Sequence, residues 1–244
     1  MEDWTYEPAQ DLNHDFATRL KGFPREPHMW VYALRSAAAM LIRGWLRTYH
    51  RFRITRLGKL PESSFVMVAN HQSHLDAPCL LAAMPLRRLH RTFPAAAEDY
   101  FFSNLPRGIF TSIVINGLPF NREAKGAQSL AVCRELLSTP GNVLILFPEG
   151  TRSPDGTLGR FRSGIGRLIE GTDVPVVPCR LIGAHDAYPK GAWIPRPKPV
   201  HLIIGEPLRF GHLPKGRTTV QTIGDTLHRA VSDLKPESNV DPPI

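Results

Sequence analysis

Residues 66–78 read VMVANHQSHLDAP, an apolar run that stops at Asn70 and is followed by His71 and then by Asp76. Positions five apart on a helix point ~140° away from each other, so this histidine and this aspartate can meet only across a turn. The apolar residues 66–69 predict a buried strand. The Ala-Pro pair after Asp76 suits the first turn of a helix, with the aspartate as its cap. The stretch therefore predicts a strand, a turn and a helix that bring an imidazole and a carboxylate together.

Such a pair can act as a base. The carboxylate of Asp76 would accept the proton of one ring nitrogen of His71 and leave the other nitrogen free to take a proton, as in Ser-His-Asp sites but without a protein nucleophile. The alternative is that Asp76 only caps a helix and His71 is an ordinary loop residue. These residues alone do not choose between the two.

The composition describes a globular protein with a basic surface. The chain has 244 residues, enough for one well-filled core, and it is 42% hydrophobic and 21% charged, which excludes a disordered chain. Its 30 Lys and Arg against 22 Asp and Glu give a net charge of +8. Such a charge suits an anionic partner, namely nucleic acid, an anionic bilayer or a phosphorylated substrate.

The cysteines and the apolar runs indicate where the protein works. Cys79, Cys133 and Cys179 are odd in number and lie in apolar surroundings, which favours buried thiols in a reducing compartment over a disulfide framework or a zinc site. The first residues lack the layout of a secretory signal, and no run approaches the about 18–20 apolar residues of a membrane-spanning helix. We therefore expect a cytoplasmic protein that is soluble or bound to a membrane surface.

Strand and helix patterns alternate along the chain. Strands are predicted at residues 52–57, 64–69, 91–97, 142–147, 174–182 and 200–204, and helices at 77–84, 124–137 and 218–234. A helix start is expected at 98–102, and a β-branched run at 112–115 precedes an Asn-Gly turn signal. The alternation predicts the α/β class, with a mixed, largely parallel sheet flanked by helices.

Residues 28–51 predict an amphipathic helix after an irregular arm at 1–27. Its arginines fall within an arc of ~160°, opposite a cluster of large apolar side chains. The arginines are Arg35, Arg43, Arg47 and Arg51, and the apolar side chains are Trp30, Leu34, Leu41 and Trp45. One interpretation is an interfacial membrane helix with its guanidiniums on lipid phosphates; the other is a helix that packs its apolar face on the protein's own core.

Two further motifs carry charged side chains. Residues 146–153, LFPEGTRS, are an apolar strand that ends in a turn bearing Glu149 and Arg152, either a ligand-binding edge of an α/β sheet or a structural ion pair. Residues 119–122, PFNR, put Arg122 just past an apolar segment, where a guanidinium can bind phosphate with two hydrogen bonds or be ordinary solvated surface.

Taken together, NHQSHLD, PFNR, FPEGTRS and the apolar residues 174–178 resemble the four ordered blocks of the glycerolipid acyltransferase family. This is the family of the HxxxxD motif, and its members include lysophosphatidic acid acyltransferases and glycerol-3-phosphate acyltransferases. The blocks span residues 70–178. The first and third are the specific ones.

The resemblance implies a role for each matching residue. His71 would be the general base and Asp76 its orienting carboxylate, while His74, between them, is not selected by the motif. The acceptor and its phosphate would be held by Arg122, Glu149, Gly150, Thr151 and Arg152. The acyl-binding or structural wall would be Val174, Pro175, Val176, Val177 and Pro178.

The expected reaction moves a fatty acyl group from acyl-CoA or acyl-ACP to the hydroxyl of a lysophospholipid, with 1-acylglycerol-3-phosphate as the acceptor. No bound cofactor or metal is expected, and the chain has no G-x-S-x-G motif for a serine nucleophile. The open alternatives are the same chemistry on a glycolipid, amino-acid lipid or secondary metabolite, and a non-enzymatic basic protein that binds lipid or nucleic acid.

The expected partners follow from that reaction. They are a lipid acceptor, acyl carrier protein as a possible donor, and an anionic membrane surface bound through residues 28–51 on the inner face of the cell membrane; nucleic acid is not expected. The expected organisation is an N-terminal arm and interfacial helix at 1–50, an acyltransferase domain at 51–235 and a flexible tail at 236–244.

Overall fold

The computed structural model describes residues 29–97, 115–120 and 126–236. Several predictions fall outside these residues: the arm at 1–27 with His28, the helix start at 98–102, the β-branched positions 112–114, Arg122 and the tail residues 237–244.

The described strands form one seven-stranded sheet in the order β1-β7-β6-β2-β5-β3-β4. The strands are β1 Arg53–Arg56, β2 Phe65–Ala69, β3 Thr92–Ala97, β4 Leu118–Phe120, β5 Val143–Leu146, β6 Val176–Ile182 and β7 His201–Ile204. The β6–β7 pair is antiparallel and the other neighbours are parallel. The predicted mixed, largely parallel sheet is confirmed. Only β4 lies outside the predicted strand segments.

The helices of the described residues are α1 Met29–Tyr49, α2 Asp76–Ala83, α3 Leu86–Leu89, α4 Gly126–Ser138, α5 Gly164–Ile169, α6 Ala184–Ala187 and α7 Arg217–Asp233. The sequence predicted α1, α2, α4 and α7. The other three have only 4 to 6 residues, too few to show a helical period.

Strand β2 lies at the centre of the sheet, and its five residues are fully buried. Phe65, Met67 and Ala69 face a core shared with α1, α2, α3 and α6, and Val66 and Val68 face a second core shared with α4, α5 and α7. Because both faces of this strand are covered by helices, its sequence is a continuous apolar run without alternation.

The carboxyl ends of β2, β3, β4, β5 and β6 lie at one edge of the sheet, because these strands run parallel. Strand β7 begins at the same edge, since Ile182 at the end of β6 pairs with His201. We call this the carboxyl edge. Since His71 is the second residue after β2, its turn lies there, at the position where open α/β sheets bind ligands.

Helix α1 exposes its large apolar side chains and does not pack them on the core. Leu46 and Arg35 are buried and face the protein, whereas the four large apolar side chains of the opposite face are exposed, from 37% for Trp45 to 76% for Leu41. The Arg43 guanidinium donates to the carbonyl oxygen of Met84, the C-cap of α2, where a cation complements the negative end of the helix. The expected packing of the apolar face on the core is wrong, and so is the placement of Arg35 and Arg43 at lipid phosphates.

None of the helices in the described part of the chain combines the length and the apolar character needed to cross a membrane.

Candidate active site

The turn after β2 is tied to the neighbouring strand β6 by amide side chains. Asn70 donates from Nδ2 to the carbonyl oxygen of Leu181 at 2.9 Å and accepts the Leu181 N–H at 2.8 Å, so it continues the pairing of β2 with β6 beyond the last strand residue. Gln72 donates to the same carbonyl oxygen at 2.8 Å. Sequence reasoning missed these two anchors, although both belong to the NHQSHLD block.

One carboxylate oxygen of Asp76 accepts three hydrogen bonds from the turn. Its Oδ2 accepts the His71 Nδ1–H at 2.8 Å and the backbone N–H groups of Gln72 and Ser73 at 2.7 and 2.8 Å. The carboxylate is fully buried. The helix begins at Asp76 itself, with Leu75 as an N-cap that makes no side-chain bond, so the predicted helix cap is wrong. Asp76 instead holds the histidine and closes the turn that precedes the helix.

The imidazole of His71 is fixed on three sides. Its ring stacks on Phe147 with centroids 4.2 Å apart and planes 18° apart, and Nδ1 is bound to Asp76. The backbone N–H of His71 donates to Glu149 Oε1 at 2.7 Å, and its carbonyl accepts the Ser153 N–H at 2.8 Å. The side chain keeps 19% of its surface exposed. With the proton on Nδ1, Nε2 is the nitrogen left to accept a proton from a ligand.

Glu149 is buried, and each of its two carboxylate oxygens accepts a hydrogen bond from a backbone N–H group. Oε1 accepts the His71 N–H, and Oε2 accepts the Gly159 N–H at 2.8 Å. Burial raises the pKa of this carboxyl, against the opposing effect of the two N–H groups. The structure thus gives Glu149 a role in positioning His71 that the sequence did not predict; its contact with an acceptor stays a prediction.

The rest of this turn lies on the surface beside the histidine. Gly150 has φ +75°, a left-handed conformation that favours glycine, and a Cβ there would lie 2.8 Å from Arg162 Nε. Thr151 is exposed, and Arg152 is half-buried. These three residues are close to the His71 turn in space, as the sequence blocks implied.

Arg152 reaches back to the first motif through His74. Its Nη1 lies 2.7 Å from His74 Nδ1, and the His74 ring packs against Tyr188 with centroids 4.9 Å apart. Burial and the neighbouring guanidinium lower the pKa of His74 to about 4, so the ring is neutral near pH 7 and accepts a hydrogen bond from the arginine. His74 supports Arg152 and does not contact Asp76 Oδ2.

Two sets of predicted site residues remain, namely Arg122 and residues 174–178. Arg122 lies outside the described residues, although β4 ends at the carboxyl edge. Residues 174–178 lead into and form the start of β6, where Val176 and Val177 are fully buried and pair in register with Val66 and Met67. They support the sheet beneath the site, and a wall for the acyl chain stays a prediction.

Among the described residues next to His71, neither Cys79 nor Ser73 is placed to act as a nucleophile. Burial raises the pKa of Cys79 well above its usual value, and the thiol packs in the core. The Ser73 hydroxyl is buried, donates to the Tyr188 carbonyl at 2.7 Å and accepts the Leu75 N–H at 3.1 Å. The arrangement therefore suits a base that activates a bound hydroxyl, with no covalent enzyme intermediate.

The sequence is similar to one protein family and to several curated proteins. A family model described as Acyltransferase matches residues 51–182. The chloroplastic 1-acyl-sn-glycerol-3-phosphate acyltransferase LPAT1 of Arabidopsis thaliana is 30% identical over 185 residues, which are 74% of this chain and 48% of that protein. Tafazzin of Drosophila melanogaster is 29% identical over 215 residues, which are 79% of this chain and 55% of that protein. The chain spans about half the length of these curated relatives.

A solved structure shares the fold. The crystal structure of the 1-acyl-sn-glycerophosphate (LPA) acyltransferase PlsC from Thermotoga maritima matches with a TM-score of 0.61 and 26% identity, over 85% of this chain and 81% of that one. Since the matched region, residues 51–182, contains both the His71–Asp76 turn and the Glu149–Arg152 turn, the chain belongs to the acyltransferase family.

Proposed function

We propose that this protein transfers a fatty acyl group from acyl-CoA or acyl-ACP to the free hydroxyl of 1-acylglycerol-3-phosphate. The observation that carries the proposal is the 2.8 Å hydrogen bond between His71 Nδ1 and Asp76 Oδ2 at the carboxyl edge, which orients a base. The names of the relatives, 1-acyl-sn-glycerol-3-phosphate acyltransferases, support the choice of acceptor.

In this mechanism Nε2 of His71 takes the proton of the acceptor hydroxyl while the hydroxyl oxygen attacks the thioester carbonyl carbon. Asp76 stabilises the imidazolium that forms. When the tetrahedral intermediate collapses, the carbon–sulfur bond breaks and the thiolate receives the proton from Nε2. One ester and one free thiol result. A thioester is already activated, so a base of this kind supplies about 10²–10⁴-fold, and positioning adds to it.

The acceptor phosphate is assigned to the basic side of the site. Arg152 lies beside His74 at the end of the His71 turn, and a guanidinium binds phosphate with two parallel hydrogen bonds. Gly150, Thr151 and Arg122 complete the proposed acceptor side. Glu149 keeps this turn against His71.

We assign the exposed apolar face of α1 to an anionic membrane surface, on the inner face of the cell membrane. Exposed tryptophan and leucine side chains at helical spacing suit the headgroup boundary of a bilayer, where the lipid acceptor lies. Arg47 and Arg51 remain exposed for lipid phosphates. Replacement of Leu34 and Leu41 by Ser should reduce flotation with anionic vesicles, whereas equal flotation of variant and parent would exclude this face as an anchor.

The function is tested by His71→Ala, with His212→Ala at an exposed site as its matched control. Thiol release from acyl-CoA with 1-acylglycerol-3-phosphate should fall by about 10²–10⁴-fold in the first variant and stay unchanged in the second. Retained turnover in a folded His71→Ala protein would contradict the proposal. Mass spectrometry of products from a panel of lysolipids, with CoA and carrier-protein donors, separates this acceptor from a glycolipid, an amino-acid lipid or another alcohol.

A further inference from the structure

A loop between α6 and β7 carries two large apolar side chains that pack on nothing in the described structure. In this segment, residues 188–199 and here named the tip loop, Trp193 is 94% exposed and its neighbour Ile194 is 75% exposed. Exposing two large neighbouring apolar side chains to water is energetically unfavourable. Side chains of these two types are mostly buried in globular domains. The family blocks do not include this loop.

The base of the tip loop is built into the active-site turn. The carbonyl oxygen of Tyr188 accepts the Ser73 hydroxyl at 2.7 Å and the His74 N–H at 3.4 Å, and the Arg196 N–H returns to the carbonyl of Ala187 at 2.7 Å. Both ends of the loop are therefore held at the carboxyl edge, next to the turn that carries His71. The exposed tip belongs to a well-anchored loop.

The tip loop is also attached to the C-terminal end of α1. Tyr49 at the end of that helix donates to the carbonyl oxygen of Pro195 at 3.0 Å, and Arg51 donates to that of Pro197 at 3.1 Å. Trp45, on the exposed face, stacks on Tyr49 with ring centroids 5.8 Å apart. The C-terminal end of α1, with Trp45 and Tyr49, is thus attached to the tip loop.

The charged residues of the tip loop itself are all basic. Lys190, Arg196 and Lys198 are all exposed, and residues 187–205 contain no Asp or Glu. An apolar tip containing tryptophan, flanked along the chain by basic side chains, matches the interface of an anionic bilayer, with the indole at the headgroup boundary and the cations at lipid phosphates.

We propose that the tip loop is a second membrane contact, in which Trp193 and Ile194 enter an anionic bilayer while the three basic side chains face its phosphates. Together with the C-terminal end of α1 it would hold the carboxyl edge, and with it the His71 turn, close to the membrane that supplies the lipid acceptor. Its catalytic consequence rests on the proposed function; its binding to lipid does not.

The test compares Trp193→Ala/Ile194→Ala with the control Leu57→Ala in the full chain. Leu57 is also exposed but lies at the opposite edge, because β1 runs antiparallel to β2. Flotation is measured with vesicles of phosphatidylcholine and with vesicles that also contain phosphatidylglycerol. We expect the tip variant to bind the anionic vesicles about tenfold more weakly and the control to bind as the parent does.

Turnover is measured with the lysolipid in anionic vesicles and with a short-chain lysolipid dissolved as monomers. The ratio of vesicle to dissolved turnover should fall about tenfold in the tip variant. Unchanged flotation and an unchanged ratio would overturn the proposal. A loss confined to carrier-protein donors without vesicles would also overturn it, because the loop would then bind the acidic carrier. If the parent transfers no acyl group at all, the proposed function fails, but flotation still tests whether the tip loop binds the membrane.

Discussion

Glu149 holds the backbone of His71 across 78 positions of sequence, with Oε1 2.7 Å from the His71 nitrogen. The other oxygen accepts the Gly159 N–H, so one buried carboxylate joins the turn after β2 to the loop after β5. The third sequence block is therefore tied to the first by a hydrogen bond between a side chain and the backbone.

This relationship predicts the effect of Glu149→Gln. The amide offers one oxygen and one NH₂ group, so one of the two backbone N–H groups loses its acceptor, at a cost of about 1–3 kcal/mol in the free energy of unfolding. The displaced His71 should lower kcat more than it raises KM. Urea denaturation and thiol-release kinetics measure the two effects. In the control Glu170→Gln, at the end of α5, kcat should be unchanged; parent-like stability and kcat in Glu149→Gln would contradict the positioning role.

Asp76→Asn should damage catalysis more than binding. An asparagine oxygen can still accept the backbone N–H groups of Gln72 and Ser73, but the neutral amide cannot stabilise the imidazolium and can force His71 into the tautomer with its proton on Nε2. We expect kcat to fall by about 10²–10⁴-fold with a small change in KM. Nitrogen NMR of the ring reports the tautomer. Asp225→Asn, an exposed change on α7, is the control, and a parent-like kcat in Asp76→Asn would refute the orienting role.

His74 predicts a pH dependence of stability. Its pKa is about 4 in the folded protein against an ordinary value of 6.5, so between these values the unfolded chain takes up a proton that the folded protein refuses. The free energy of unfolding contributed by this residue is therefore fully present above pH 6.5 and is lost as the pH falls towards 4. Because the side chain is only half-buried, solvent screening leaves about 1 kcal/mol of this effect.

The measurement compares the parent with His74→Gln by urea denaturation from pH 7 down to pH 4. The parent should lose more stability than the variant over this range. His50, His90 and His201 also have lowered pKa values, but they titrate in both proteins and cancel in the difference. Parallel stability curves would show that the environment of His74 does not oppose its protonation.

Two glycines of α5 predict opposite responses to alanine. A Cβ at Gly166 would lie 2.2 Å from the carbonyl oxygen of Val220 on α7, whereas a Cβ at Gly164 would meet no atom within 4 Å. Gly166→Ala should therefore separate α5 from α7 and lower the free energy of unfolding by about 1–3 kcal/mol. Gly164→Ala should be neutral or raise it by about 0.5–1 kcal/mol, because alanine restricts the unfolded chain. Thermal denaturation measures the Tm of each variant, and equal Tm values for Gly166→Ala and Gly164→Ala would contradict this packing of α5 on α7.

Most of the sheet could be predicted because burial leaves a local signature. Six of the seven strands lie inside the predicted segments. The signature is clearest in β2 and β5, which are covered on both faces and are apolar at every position. Strand β4 and helices α3, α5 and α6 have only 3 to 6 residues each, and so short a segment carries no period that a pattern can detect.

The sequence alone determined that His71 and Asp76 lie on either side of a strand-to-helix turn, where they can meet, and the resemblance to the acyltransferase family favoured their pairing over a simple helix cap. Only the tertiary structure decided what Glu149 binds and how Asn70 is held by Leu181, 111 positions away, since such bonds depend on which strands become neighbours. It also decided which face of α1 is exposed to solvent. An amphipathic pattern defines two faces but not their partners, and here Arg35 is buried and Arg43 binds the C-cap of α2, while the large apolar side chains are exposed.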